Sequence, residues 1–494
     1  MILSKLWHPR LHPGLDGYLY SCKVVLMNNI VEIPVWVLVL GGILAAIGIL
    51  DRLLMPSVRW YLRRRLNRVI DSLNDRLQLS IQPFKLTRRK VMIDRLIHDP
   101  KVMEAIVEHA NAENMPQEIV AKTAERYARE IVPSFSASAY FGFAIRASRF
   151  ISNSLYRVRL GFIDDEALRN VDPNSTVIFV MNHRSNMDYV LVTFLVAERS
   201  ALSYAVGEWA RVWPLQQLIK AMGGYFIRRK SRNQLYRKVL ARYVQMATEG
   251  GVTQAIFPEG ELSRDGKLSV PKLGLLSYIL GDFNPETSRN VVFVPVGLNY
   301  DRVLEDRVLT AVEVDGKRMF RFQPWAFIRF SIRQVWLRLT GRFYRFGYAC
   351  VSFGRPVSLT EYMATHAPAE MPEVIENLGN ELMQRIGQVV PVLPVSMVAT
   401  VLLNAKKPLG VLELKACCHT LSQELSARGV YSHIPREDED YAVEVGLRML
   451  TLRHMVTEVG GQFAIAPEHA NVVQYYANAI AHHFEADQLT LSAE

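Results

Sequence analysis

His183 and Asp188 stand five positions apart in the block VMNHRSNMD, residues 180–188. An imidazole can serve as a general base near neutral pH, and a carboxylate on one ring nitrogen fixes which nitrogen carries the proton. A turn of this length brings the two together and leaves the second nitrogen facing outward. That is the base-plus-orienter half of a triad with no enzyme nucleophile, so the attacking group would be a substrate hydroxyl. By spacing alone, a helix cap or a packed histidine is the commoner use of such residues, and the chain has 12 histidines.

Three further blocks put polar residues after apolar runs. Gly223-Gly224-Tyr225-Phe226-Ile227-Arg228-Arg229 ends in two arginines, whose planar forks suit phosphate. Phe257-Pro258-Glu259-Gly260-Glu261-Leu262-Ser263-Arg264-Asp265-Gly266-Lys267 resembles a P-loop at a glance. Its glycine-to-lysine spacing is one residue too long, and Leu268 stands where Ser or Thr is required, which excludes ATP binding of that kind. The last block is Val294-Pro295-Val296-Gly297-Leu298-Asn299-Tyr300-Asp301.

The elements that must position these blocks follow from periodicity. From about 160 to 355, apolar β-rich runs (176–181, 201–206, 253–257, 291–296, 349–353) alternate with amphipathic helices such as 233–249. The expected fold class is α/β, with a central, largely parallel sheet and flanking helices, and ligands at the carboxyl ends of its strands. Residues 71–155 and 358–494 read as helical. Asp99-Pro100 is an N-cap followed by proline at the first helical position, and helices are expected over 116–132, 410–424, 440–458 and 470–484. The expected organisation is 1–70, a segment with an anchor and a basic patch; 71–155, helical; 156–357, the α/β domain; and 358–494, helical.

Composition bounds the rest. The 494 residues are 50% hydrophobic and 21% charged, which excludes a disordered chain and suffices for a large core. One uncharged run, 33–50 (IPVWVLVLGGILAAIGIL), is at the lower limit for a membrane span. Arg52, Arg59, Arg63, Arg64, Arg65 and Arg68 follow it, and this bias puts the body on the cytoplasmic side. A core helix or an in-plane anchor is the alternative. The net charge of +10 suits anionic lipid, a phosphorylated substrate or nucleic acid, and no nucleic-acid motif accompanies it. Four cysteines without a CxxC pair exclude a disulfide framework and a zinc ribbon, and no metal site is expected.

The four blocks, in this order, resemble the four motifs of the glycerolipid acyltransferase superfamily. HRSNMD matches the HxxxxD motif, FPEG the third motif and VPV the fourth; GGYFIRR looks like the glycerol-3-phosphate acyltransferase branch. The resemblance implies His183 as general base and Asp188 as its partner. It implies Arg228 and Arg229 in a phosphate pocket, Glu259, Gly260, Ser263 and Arg264 at the acceptor, and Pro295 shaping the acyl site. One departure is Leu262, where the family often has arginine. The expected activity is transfer of a fatty acyl group from acyl-CoA or acyl carrier protein to glycerol 3-phosphate in phospholipid biosynthesis, with no cofactor. The expected site of action is a membrane, the bacterial inner membrane with the catalytic body facing the cytoplasm. Lysophosphatidate or another lipid alcohol as acceptor, or a non-catalytic membrane scaffold, are the alternatives.

Overall fold

The computed structural model describes residues 82–196, 201–211, 215–228, 231, 233–311, 340, 345–366 and 370–484, with backbone strands at Ser21–Leu26 and Asn29–Pro34. The chain divides into two units, Met1–Leu73 and Asn74–Glu494. In the first, β1 (Ser21–Leu26) and β2 (Asn29–Pro34) form an antiparallel hairpin with Leu26 opposite Asn29. The apolar run 33–50 thus begins in a strand, at Ile33 and Pro34; its remainder and the arginine cluster after it lie outside the described residues. No helix among the described residues is long and apolar enough to cross a membrane.

The second unit is built on an eight-stranded sheet. Before it come α1 (Arg89–Ile97), α2 (Pro100–Ala112), α3 (Gln117–Ile131) and α4 (Ile145–Leu155). Then follow β3 (Arg157–Ile163), α5 (Asp165–Arg169), β4 (Thr176–Met181), α6 (Met187–Val196), β5 (Ser203–Gly207), α7 (Leu215–Ala221) and β6 (Tyr225–Ile227). After these come α8 (Gln234–Glu249), β7 (Gln254–Ile256), α9 (Gly274–Leu280), β8 (Val291–Tyr300), β9 (Tyr348–Phe353) and β10 (Val357–Ser358). The strand order is β3-β9-β8-β4-β7-β5-β6, with β10 beside the start of β8. Strands β8, β4, β7, β5 and β6 run parallel, whereas β9 and β10 are antiparallel to β8.

Chain direction across the sheet reverses at β4. The strands that follow it in sequence lie on one side, and β8 returns to the other, so the end of β4 is a topological switch point, the place where such sheets bind ligands. All six residues of β4 and all ten of β8 are buried. Such continuous apolar runs, rather than alternation, mark strands covered on both faces. Val177, Phe179 and Met181 join one core with α6, while Ile178 and Val180 join another with α1, α2, α3 and α8. Local signals set the helix starts: Asp99 accepts from the Lys101 amide at 3.1 Å, and Asn233 from Tyr236 at 2.8 Å.

The C-terminal region holds α10 (Met371–Val389), α11 (Pro394–Asn404), α12 (Val411–Ala427), α13 (Glu439–Thr451) and α14 (Ala470–Ala481). It is not wholly helical. The helix expected over 440–458 ends at Thr451, and β12 (Val456–Val459) pairs with β13 (Gln462–Ile465), which pairs with β11 (Leu409–Gly410). Gly460 and Gly461, at φ +61° and +75°, make the two-residue turn between β12 and β13. Helices α11, α13 and α14 pack into the same core as β4 and α6, so this region and the sheet share one interior.

Gly297 marks a close approach within β8, where a Cβ would collide with the Val389 carbonyl at the end of α10. Gly297→Ala should therefore cost about 1–3 kcal/mol of stability. Thermal unfolding of the full chain checks this, and an unchanged melting temperature would refute the contact.

Candidate active site

Sequence places His183 just past β4, and the structure fixes that exit firmly. Asn182 pairs twice with the backbone of β8, its Nδ2 donating to Leu298 O at 2.9 Å and its Oδ1 accepting from Leu298 N at 2.8 Å. The chain then turns through 183–186 into α6, whose first turn carries Asp188. His183 Nδ1 meets Asp188 Oδ2 at 2.9 Å. The same oxygen accepts from the amides of Arg184 at 2.8 Å and Ser185 at 3.0 Å, and Oδ1 accepts from Tyr300 Oη at 2.6 Å. An oxygen already surrounded by donors suits a carboxylate, which puts the ring proton on His183 Nδ1 and the lone pair on Nε2. Nε2 takes no hydrogen bond from the described residues. The imidazole stacks on Phe257, with centroids 4.0 Å apart, and meets Tyr189 edge-on at 5.6 Å.

Glu259 is 1% exposed and spends both oxygens on backbone. Oε1 accepts from the His183 amide at 2.8 Å and Oε2 from the Ser269 amide at 3.2 Å. The Ser263 amide in turn donates to His183 O at 2.9 Å. Glu259, expected at the acceptor, braces the loop after β7 against the backbone of His183. Burial pushes its carboxyl up to about 7, against the pull of those two backbone donors. Ser263 also faces inward; its hydroxyl donates to Lys267 O at 2.8 Å and accepts from Gly266 N at 3.1 Å. Gly260 adopts φ +72°, which favours glycine, and a Cβ there would sit 2.7 Å from Lys272 Cδ.

Arg228 and Arg264 each pair with a carboxylate other than Asp188. Arg228 follows β6, three strands from β4, so its backbone lies about 14 Å across the sheet. Its Nε and Nη2 hold Glu130 of α3 at 2.9 and 2.7 Å, Arg211 adds a third bond at 2.8 Å, and the guanidinium lies 5.3 Å from the rings of Tyr127 and Tyr236. Burial alone would raise the Glu130 carboxyl, but the Arg228 bond, with Arg211 and Lys220, lowers it. Arg264 is exposed and pairs with Glu261 at 2.9 Å, and Lys272 approaches the same carboxylate at 3.2 Å. Arg229 lies outside the described residues. Pro295 sits where β8 changes its antiparallel neighbour from β10, at Val292 and Phe293, to β9, from Val296 onward. A residue lacking N–H is at home in that gap.

The family model described as Acyltransferase matches residues 162–299, which hold His183, Asp188, Glu259 and Pro295. A second, described as Glycerol-3-phosphate acyltransferase C-terminal region, matches 333–493. Proteins named glycerol-3-phosphate acyltransferase from Xanthomonas campestris pv. campestris and Pseudomonas aeruginosa (strain LESB58) are each 26% identical to this chain. The alignments run over 450 and 451 residues and cover 86% and 87% of it. These matches support a place in the glycerolipid acyltransferase superfamily, in its glycerol-3-phosphate acyltransferase branch. It spans about half the length of these curated relatives, 49% and 52%. A solved 1-acyl-sn-glycerophosphate acyltransferase from Thermotoga maritima overlaps 50% of this chain and 79% of its own, at 20% identity and a TM-score of 0.27.

Sequence reading missed residues that complete this site. Tyr300 stands inside the fourth block, and only the β4–β8 pairing reveals that it reaches Asp188. Glu305, whose signal in sequence is nil, holds the other side of the turn: it accepts from Ser185 Oγ at 2.7 Å and from Asn186 N and Nδ2 at 3.2 and 3.0 Å. Arg184 is 3% exposed, donates to Gly266 O, and lies over the ring of Tyr475 in α14 at 4.9 Å.

Two outcomes follow. Tyr300→Phe removes one charge-assisted bond, worth about 1.5–3 kcal/mol, and should lower turnover roughly 10- to 100-fold with little change in either KM; a turnover equal to wild type would show that Asp188 needs no such support. For Glu259, the folded chain binds a proton between about 4.5 and 7 that the unfolded chain has released. Raising pH through that window therefore lowers stability. Buried Asp301, also raised to about 7, contributes to the same slope. Glu259→Gln should flatten the slope relative to wild type; denaturant melts at pH 5, 6 and 7 measure it.

Proposed function

We propose that this chain is an acyltransferase that moves a fatty acyl group from a thioester of coenzyme A or acyl carrier protein to glycerol 3-phosphate. The observation that carries the reading is the His183–Asp188 pair at 2.9 Å, at a switch point of the sheet, with Nε2 carrying the lone pair. In the proposed step Nε2 takes the proton of the acceptor hydroxyl as its oxygen attacks the thioester carbonyl. Asp188 stabilises the imidazolium that forms. Collapse of the tetrahedral intermediate breaks the C–S bond, and the thiolate leaves with the proton returned from His183. The ester and the free thiol are the products, and a thioester needs no further activation. The names of the relatives supply the acceptor. Acting on membrane lipid at the cytoplasmic face of a bacterial inner membrane is part of the same proposal, supported by the basic charge and the run 33–50.

A lysophospholipid or another lipid alcohol is the second reading. Two features favour it: Leu262 stands where the family often has arginine, and the Arg228 fork is already filled by Glu130. Labelled acyl donor, a panel of acceptors and mass identification of the product separate the two. His183→Ala should lose roughly 10²- to 10⁴-fold in turnover while remaining folded. With glycerol 3-phosphate, Arg228→Ala should raise acceptor KM about 10-fold or more and leave donor KM unchanged. Near-wild-type turnover in His183→Ala defeats the mechanism. An unchanged acceptor KM, with lysolipid used equally well, moves the second reading ahead.

A further inference from the structure

An apolar cavity of about 290 Å³ lies on the α6 side of the sheet, away from the catalytic turn. Leu160 and Ile163 of β3, Val177 and Phe179 of β4 and Leu195 of α6 line it, and every lining side chain is apolar except Arg169. Along β4 and its turn, Phe179 is four residues short of His183, about 13 Å. Fully buried Met181 stands between them, and Phe257 stacks on the His183 ring, so the cavity is separate from the catalytic centre.

The cavity opens to solvent and is not a sealed void. Apart from Arg169 the lining side chains offer water no polar partner. An apolar guest suits it. The mouth says which kind. Leu160 lines the cavity and is 49% exposed, and Phe162 on the same edge strand is 47% exposed, so apolar surface continues outward. Exposed Arg169 supplies the one charge there.

We propose that this cavity binds the single acyl chain of an anionic amphiphile, with Arg169 at its head group, as a lipid site apart from the catalytic centre. An acyl chain spans about half of the ~30 Å bilayer core; the cavity takes its tail, and the remainder lies along Leu160 and Phe162. The inference does not depend on the acyl-transfer reading, because binding alone tests it.

The full chain in zwitterionic nanodiscs is labelled with a 16-carbon fatty acid bearing a photoreactive diazirine near its methyl end, and labelled peptides are mapped by mass spectrometry. Label is expected in β3, α5 and the end of α6. Leu195→Trp, which fills the cavity, should abolish it. Arg169→Glu should weaken binding about two- to fivefold, the range of an exposed charge contact, and should leave binding of the uncharged alcohol of the same length unchanged. Both variants should keep wild-type melting. Competition by lysophosphatidate but not by phosphate distinguishes a lipid head from a free anion. Label elsewhere, or label that persists in Leu195→Trp, overturns the proposal. So does one-for-one displacement by saturating acyl-CoA, which would assign the cavity to the donor's own tail.

Discussion

The Asp188 carboxylate is the point on which the site depends. It accepts from His183, from two backbone amides of the turn and from Tyr300, so one side chain sets the ring's tautomer, the shape of the turn and the join between β4 and β8. None of these donors is redundant. The amides define the turn that starts α6, and Tyr300 is positioned only because β8 runs parallel to β4 in a fixed register, Met181 opposite Val296. A slip of one residue in that register would turn Tyr300 to the opposite face of the sheet. The ten buried residues of β8 are what forbid the slip, so core packing and the base's readiness share one cause.

A second layer holds the turn from outside. Glu259 grips the His183 amide from the loop after β7, and Glu305 grips Ser185 and Asn186 from the loop after β8. Burial raises both carboxyls. Buried acids are costly to charge, and these two are tolerated because donors meet them, backbone amides at Glu259 and a backbone amide with two side-chain donors at Glu305. The three loops at this end of the sheet are thereby one rigid object, as a base that must meet a hydroxyl in a set geometry requires.

The sheet was largely legible in sequence because its central strands are continuous apolar runs. Thr176–Met181 has the expected bounds, and Val291–Tyr300 starts where expected and runs four residues further. The His183–Asp188 pairing was legible because it is local, closed by five residues of chain. What was not legible is long-range. Arg228 reads as a phosphate ligand, and nothing in the sequence shows that α3 brings Glu130, 98 residues earlier, into its fork. Glu259 reads as a ligand-binding residue, and the two amides that meet its oxygens cannot be read from sequence. The strand pair at Val456–Val459 and Gln462–Ile465 was missed although Gly460-Gly461 is a hairpin signal, because Val456 and Val459 also fit helical spacing.

The C-terminal region follows from the same logic. Gly266, at φ +91°, lies so close to the backbone of Tyr475 that a Cβ would collide with it, and Asn478 Nδ2 donates to Asp265 O at 2.8 Å. Tyr475 lies against the Arg184 guanidinium and donates to its carbonyl at 3.4 Å. Tyr476 donates to Asp306, the neighbour of Glu305, and Arg453 pairs with that carboxylate at 2.6 Å. One helix, α14, therefore touches the turn of His183, the loop of Glu259 and the loop of Glu305. Without it Arg184 would lose the aromatic face that covers a buried charge, and the loops would lose the surface that closes them. The C-terminal region, in which the sequence offers no candidate catalytic residue, thus packs directly against the His183 end of the sheet.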